Sequence, residues 1–369
     1  MTRIYLDHSS ATPIISAILP KVTRALQVYG NPSSMHSLGQ DSKETIESVR
    51  HHIQHHVGGD CTGVFFSSAT EANNYVLRTV ARQSGACRIL VSAIEHACVR
   101  ATAAALADDG VDVQIIPVLP TGVVDIEALS QLITPNTALI SVMMTNNETG
   151  INQPLDAVIN VAKQHNVPVH TDAVQWVGKQ PIPDLDYNYL VFSGHKLGAP
   201  KGCAVLCMRQ VLLTPWITGG HQEHGVRAGT ENVWAIAGLG YALTHLVSQQ
   251  DLISAHYQTL NAQLRDQLNS GQIIWNTPES AMPHILNFSL LGHDAHTVVM
   301  AMDLQGIAIA AGSACSTGSM QLSPVISAMF PNNLERIQSA IRVSFGPCTT
   351  ADDITAFATA IRQMMQVRN

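Results

Sequence analysis

The chain has 369 residues, with 20 Lys+Arg against 27 Asp+Glu, a formal net charge of −7. Hydrophobic residues make up 46% and charged residues 13%. That excludes a disordered, solvating chain and supplies apolar material for about two domains. The acidic balance excludes attachment to nucleic acid by bulk charge, so no direct nucleic-acid binding is expected.

No long apolar run suited to crossing a bilayer is present, and no membrane span is expected. The first residues, Met1 to Asp7, read as a short strand and not as a signal peptide. Cysteines stand at Cys61, Cys87, Cys98, Cys203, Cys207, Cys315 and Cys348 and form no CxxC pair. Neither a zinc site nor a disulfide framework is expected, and reduced thiols point to the cytoplasm. Cys203 and Cys207 share a strand face and read as core thiols.

From about residue 63 strands and helices alternate. Strands are expected at 64–67, 88–92, 113–118, 138–144, 167–171, 189–192 and 203–208. Helices are expected at 71–83, 95–107, 125–133 and 155–164. The strand runs are short and continuously apolar, as in strands buried on both faces. Repeated β-α units imply an α/β fold with a mostly parallel sheet covered by helices. After about Thr230 a long helical stretch at 233–268 follows, interrupted mainly by Gly238, Gly240 and a polar patch. Strands near 285–290, 307–311 and 341–345 and helices at 296–304 and 351–366 read as a second, smaller α/β domain.

Sites in open α/β sheets gather at the carboxyl ends of strands. There the sequence places Ser67-Ser68-Ala69-Thr70, Glu95-His96, Asn146-Asn147-Glu148, Asp172 with Gln175, and Ser193-Gly194-His195-Lys196. A lysine ending a buried strand loses hydration, which frees its amine for Schiff-base chemistry with a carbonyl such as that of pyridoxal phosphate. Asp172 ends the strand VPVHTD, where a carboxylate needs a partner, and a pyridinium nitrogen is one. Taken alone, Lys196 reads as a surface lysine at a strand end, and Asp172 as an acid in an ion pair or a cap on the next helix. Ser68 to Thr70 suit a phosphate or a plain N-cap. Cys315 lies among glycines and small polar residues, a setting that exposes a nucleophilic thiol. Arg342, in an apolar strand, needs an anion, either a substrate carboxylate or a structural acid. The paired histidines His51, His52, His55 and His56 read as a solvated helix face, and no metal is expected. Asp294, between His293 and His296, reads as a helix cap.

Together these segments resemble the cysteine desulfurases of the class V aminotransferase group. The matching runs are YLDHSSATP, YGNPSS, SSATEANN, EHACV, NNETG, HTDAVQ, SGHKLGAPKG, GGHQEHGVRAGTEN, GSACSTGS and IRVSFG, in family order from residue 4 to 346. The resemblance implies the fold-type I architecture of pyridoxal-phosphate transferases, a mainly parallel seven-stranded sheet with helices on both faces. It also implies a large domain at 13–250 and a small one built from 1–12 and 251–369. By the same resemblance Lys196 holds the cofactor, Asp172 pairs with its ring nitrogen and Gln175 contacts its ring hydroxyl. His96 stacks on the ring and moves protons. Ala69, Thr70, Ser193 and His195 serve the phosphate, and Thr230 reaches the phosphate of a second subunit in a homodimer. Asn147 and Arg342 hold the carboxylate of L-cysteine. Cys315, on an extended loop, accepts the sulfur and passes it to an acceptor protein.

The departures from the pattern are Ser68 at a usual glycine, and His224 and Pro347 at frequent arginines. The last helix is followed closely by Asn369, where longer relatives carry a scaffold-docking tail. Iron–sulfur cluster assembly, tRNA thiolation and DNA phosphorothioate modification stay open as destinations of the sulfur. Selenocysteine lyase, another reaction of this cofactor and an idle assembly subunit remain alternatives.

Overall fold

The computed structural model describes residues 3–58, 60–85, 87–209, 213–312 and 322–366. Its strands are β1 (Ile4–Tyr5), β2 (Thr62–Phe66), β3 (Arg88–Ser92), β4 (Asp112–Ile116), β5 (Thr137–Ser141), β6 (Val169–Asp172), β7 (Tyr189–Ser193), β8 (Ala204–Met208), β9 (Ile273–Trp275), β10 (Ile285–Leu290), β11 (Ile307–Ala308), β12 (Ala310–Ala311) and β13 (Ala340–Ser344). Seven form one sheet in the order β2-β8-β7-β6-β5-β3-β4. All its pairings are parallel except those of β8, which runs against both neighbours. A second sheet, β12-β13-β10-β9, is antiparallel. The N-terminal β1 pairs with β11, tying the start of the chain to its last third.

The alternation of apolar and polar residues builds the covering layers. In helix Leu155–Gln164 the buried residues are Leu155, Val158, Ile159 and Ala162, the i, i+3, i+4, i+7 stripe of a helix lying on a core. Asp125 caps helix Ile126–Leu132 by accepting from the Ala128 N–H at 3.0 Å. Asp294 caps helix Ala295–Leu304 in the same way through the Thr297 N–H, as expected. One apolar core continues from the large sheet to β10 and β13, with Leu190 and Phe192 at one end and Phe288 and Val343 at the other. Cys203 and Cys207 are both in it.

Two expectations need correction. The stretch 233–268 is two helices, Val233–Ser248 and Gln250–Gln267, and the break is at Gln249. Gly238 and Gly240 lie inside the first helix, buried, because a Cβ there would meet Pro200 at 2.5 Å and Val49 at 2.6 Å. Glycine here serves close packing and not interruption. The expected strand at 113–118 is not buried on both faces either. It is β4, the sheet edge, where only Ile116 is fully buried and Ile115 is exposed.

Among the described residues no helix is long and apolar enough to cross a membrane. His51, His52, His55 and His56 lie on helix Ser37–Val57, with His51, His52 and His55 exposed.

Candidate active site

The winding of the large sheet creates the cleft. After β3 the chain goes outward to the edge strand β4, then returns to lay β5 on the other side of β3. This is a topological switch point, where loops leave the carboxyl ends of neighbouring strands in opposite directions and leave a crevice. A pocket of about 190 Å³ lies beyond these strand ends. Ala69, Thr70, His96, Asn147, Asp172, Gln175, Ser193, His195, Lys196 and Arg342 all line it. Thr230 is exposed and not among its lining residues. Cys315 and its loop lie outside the described residues.

Lys196 follows β7 in a short turn, and its Nζ donates to the carbonyls of Ser9 and Ser10, both at 2.6 Å. The segment after β1 thus forms one wall. Asp172 ends β6, is 4% exposed, and accepts from the Asn73 amide at 2.8 Å and the Val174 N–H at 3.0 Å. Behind Asn73, its Oδ1 meets His170 Nε2 at 3.1 Å, and Ser141 Oγ meets His170 Nδ1 at 2.9 Å. Burial pushes His170 down to about 3, so this chain of groups carries no cation. Glu95, wholly buried, has its carboxyl pushed well above the usual range by burial and then by Asp172. Among the described residues the hydrogen-bond partners of Asp172 are neutral donors.

His96 caps helix Ala97–Asp108. Its Nδ1 accepts from the Cys98 N–H at 3.2 Å and stands 3.0 Å from Cys98 Sγ. On the opposite wall Ser193 Oγ and His195 Nδ1 are 2.7 Å apart. Burial, then Lys196 and its neighbours, lower His195 to about 4. Ser68 caps helix Ala69–Ser84 through the Glu71 N–H with its own backbone extended, so a serine replaces the usual glycine without strain. Ala69 and Thr70, at the start of that helix, line the pocket, and their N–H groups have no intrahelical acceptor, a setting that suits an anion. Arg342 has a structural acid as its anion, Asp7. Its Nη2 binds Asp7 at 2.8 Å and Ser10 at 2.6 Å, and its Nη1 binds the Asn147 carbonyl at 3.1 Å, while it still lines the pocket.

Three contributors escaped the sequence reading. Cys98, which the sequence does not single out, lines the pocket against His96. Asn73 carried a signal, because it shares a helix stripe with Val76, Leu77 and Val80, and a lone amide on an apolar stripe needs a partner. Glu95 was noted only as the neighbour of His96.

A lysine amine, a buried carboxylate held by neutral donors and an anion-ready helix start, converging at a switch point, define a class of enzyme that binds a phosphorylated carbonyl cofactor. The chain belongs to the aminotransferase class-V family, whose sequence profile matches residues 4–357. It is 36% identical over 369 residues to a cysteine desulfurase of Gluconacetobacter diazotrophicus, covering 96% of this chain and 91% of that protein. It is 32% identical over 388 residues to the cysteine desulfurase NifS of Azotobacter vinelandii, covering 100% and 94%. A solved NifS-like protein superposes with a TM-score of 0.92 at 30% identity, covering 99% of this chain and 100% of that one.

Enzymes of this family depend on pyridoxal phosphate, and the residues present fit it. Asp172, a buried carboxylate at the pocket, would suit a protonated ring nitrogen. Gln175 gives its amide N–H to the Ser9 carbonyl at 3.0 Å, and its buried Oε1 has no partner, which leaves an acceptor for a ring hydroxyl. Ala69, Thr70, Ser193 and His195 line the same pocket and would suit the phosphate.

Proposed function

We propose that the protein is a pyridoxal-phosphate-dependent cysteine desulfurase that converts L-cysteine to L-alanine and carries the sulfur as a persulfide on Cys315. The observation that carries the reading is the convergence of Lys196, Asp172, Gln175 and His96 on one pocket, with Gln175 Oε1 buried and unpartnered. The bound cofactor supplies a carbonyl for the substrate amine and a ring that withdraws electrons from its Cα.

The side chains do the rest. Asn147 and Arg342 hold the substrate carboxylate, with Arg342 fixed in place by Asp7 and Ser10. Asp172 keeps a proton on the ring nitrogen, and Asn73 holds Asp172 in position. Lys196 Nζ takes the Cα proton. The Cys315 thiolate forms an S–S bond to the substrate sulfur as the Cβ–S bond breaks, the bonding pair stays with Cβ and takes a proton to give alanine, and the outer sulfur of the persulfide passes to an acceptor protein.

A homodimer is part of the reading, because the exposed Thr230 lies away from this chain's own pocket and suits the phosphate of a second subunit. The division into a large domain at 13–250 and a small one at 1–12 with 251–369 draws support from the pairing of β1 with β11.

The test is incubation with L-cysteine, followed by assay of alanine and of protein-bound persulfide. The wild type is expected to release alanine and carry persulfide on Cys315. The Cys315→Ser variant is expected to keep its visible cofactor band and lose the persulfide. Undiminished alanine release by that variant without added reductant would overturn the role of Cys315.

A further inference from the structure

Directly after Ser68, Ala69 and Thr70, which line the pocket, the chain places an acid. Glu71 lies in the first turn of helix Ala69–Ser84 and is not among the pocket's lining residues. Its side chain folds back over the helix start. Oε2 accepts from the Ser67 N–H at 2.8 Å and from the Ser67 hydroxyl at 2.5 Å, while Ser68 Oγ accepts from the Glu71 N–H at 3.1 Å. This is a capping box that reaches one residue beyond the cap.

An acid in that place serves the helix and hinders an anion. The positive end of the helix dipole attracts negative charge, and a carboxylate already there repels a second anion. A phosphate at Ala69 and Thr70 would meet that repulsion from the next residue in the chain.

Arg227 stands against it. Its Nε donates to Glu71 Oε1 at 2.9 Å and its Nη2 to Oε2 at 3.4 Å, a two-point contact between side chains only 22% and 13% exposed. Burial works against the charge on Glu71, but Arg227 and then Ser67 outweigh it and hold the carboxyl below its usual value, so the acid is ionised and the pair is ionic. The arginine is firmly placed. Val226 and Ala228 on either side of it are buried. The turn before them carries Glu223 at φ +50° and His224 at φ +58°, a strained course for such residues, and the buried ion pair of Glu223 with Arg50, at 2.9 Å, pins it.

We propose that Arg227 is a positioning residue for the phosphate end of the cofactor: by cancelling the charge of Glu71 it leaves the start of helix Ala69–Ser84 able to hold a dianion. The helix keeps its capping acid, and the site keeps its positive end. Thr230, three residues further on, leaves from the same anchor. The inference rests on the cofactor reading of the pocket.

The test is titration of the cofactor-free, full-length chain at neutral pH with pyridoxal phosphate and, separately, with pyridoxal, which offers the same carbonyl to Lys196 and lacks the phosphate. Binding is followed by the visible band. Arg227→Met is expected to bind pyridoxal phosphate at least about tenfold more weakly than the wild type, and pyridoxal equally well. Adding Glu71→Gln to that variant is expected to restore the affinity, because glutamine keeps an acceptor for Ser67 and removes the charge. A merely structural arginine would affect both compounds, and a second substitution would not repair the loss. Equal losses for the two compounds, no loss for either, or no recovery in the double variant would overturn the proposal. Should Arg227→Met fail to fold, Glu71→Gln alone decides. It is expected to bind pyridoxal phosphate more tightly and pyridoxal unchanged, and pyridoxal phosphate bound no more tightly than by the wild type would overturn the proposal. The cofactor reading fails separately, by a wild type that gains no visible band with either compound, and the proposal then falls with it.

Discussion

Asp172 shows how one residue's role depends on what stands behind it. Its carboxylate is oriented by Asn73, and Asn73 is oriented by His170. The Asn73→Ala change strips a donor from Asp172 and a partner from His170, both buried, and each loss costs about 1–3 kcal/mol in such settings. Part of that cost falls on the cofactor complex. Pyridoxal phosphate is expected to bind at least about tenfold more weakly to Asn73→Ala, measured by titrating the visible band. Unchanged affinity would show that Asp172 needs no support from Asn73. Much of this site was legible at the residue scale. Lys196, Asp172, His96 and Arg342 are polar groups at the ends of, or within, apolar strands, and burial forces such groups to have a purpose. Cys98 was not legible, because a thiol among Ala97, Val99 and Thr102 reads as packing until the fold brings it to the pocket beside the Asn73 amide, 3.4 Å away.

Elements were legible where the apolar periodicity is clear, as in helix Leu155–Gln164, whose limits match the expectation. They were misread where a residue's local preference opposes its use in the fold. Glycine is the case in point: its low helix propensity suggested interruption at Gly238 and Gly240, yet helix Val233–Ser248 runs through both. Propensity favours Gly238→Ala by about 1 kcal/mol. The methyl would press on the rigid Pro200 ring at 2.5 Å, and overpacking of this kind costs about 1–3 kcal/mol. Gly238→Ala is therefore expected to be neutral to about 2 kcal/mol less stable by urea unfolding. An ordinary exposed helix glycine would gain from the same change, so a clear rise in stability would show that the Pro200 contact gives way.

At the scale of the whole molecule, the buried histidines make stability depend on pH. His170 and His284 are wholly buried and neutral, with His170 lowered from 6.5 to about 3. Above pH 6.5 neither the folded nor the unfolded chain protonates His170, and its neutral form contributes in full. As pH falls from 6.5 toward 3 the unfolded chain binds the proton and the folded chain does not, so stability falls through that window. Glu95 and Glu148 act in the opposite sense. Burial raises both carboxyls, so the folded chain holds their protons above 4.5, and their contribution is lost as pH rises through the folded values. The net slope of the wild type is a contest between these groups, and the isolating measurement is a difference. Urea unfolding of the holoprotein at pH 7.5 and pH 5.5 is expected to show a smaller acid loss for His170→Gln than for the wild type. The gap is about 1 kcal/mol, since one unit below the unfolded value corresponds to about 1.4 kcal/mol per depressed histidine. Glutamine keeps a donor and an acceptor between Ser141 and Asn73, so the comparison removes the titrating group and retains polar partners. Identical acid losses in the two proteins would mean that His170 takes up its proton in the folded chain as readily as in the unfolded one. The layer of neutral groups behind Asp172 would then have to yield to a cation.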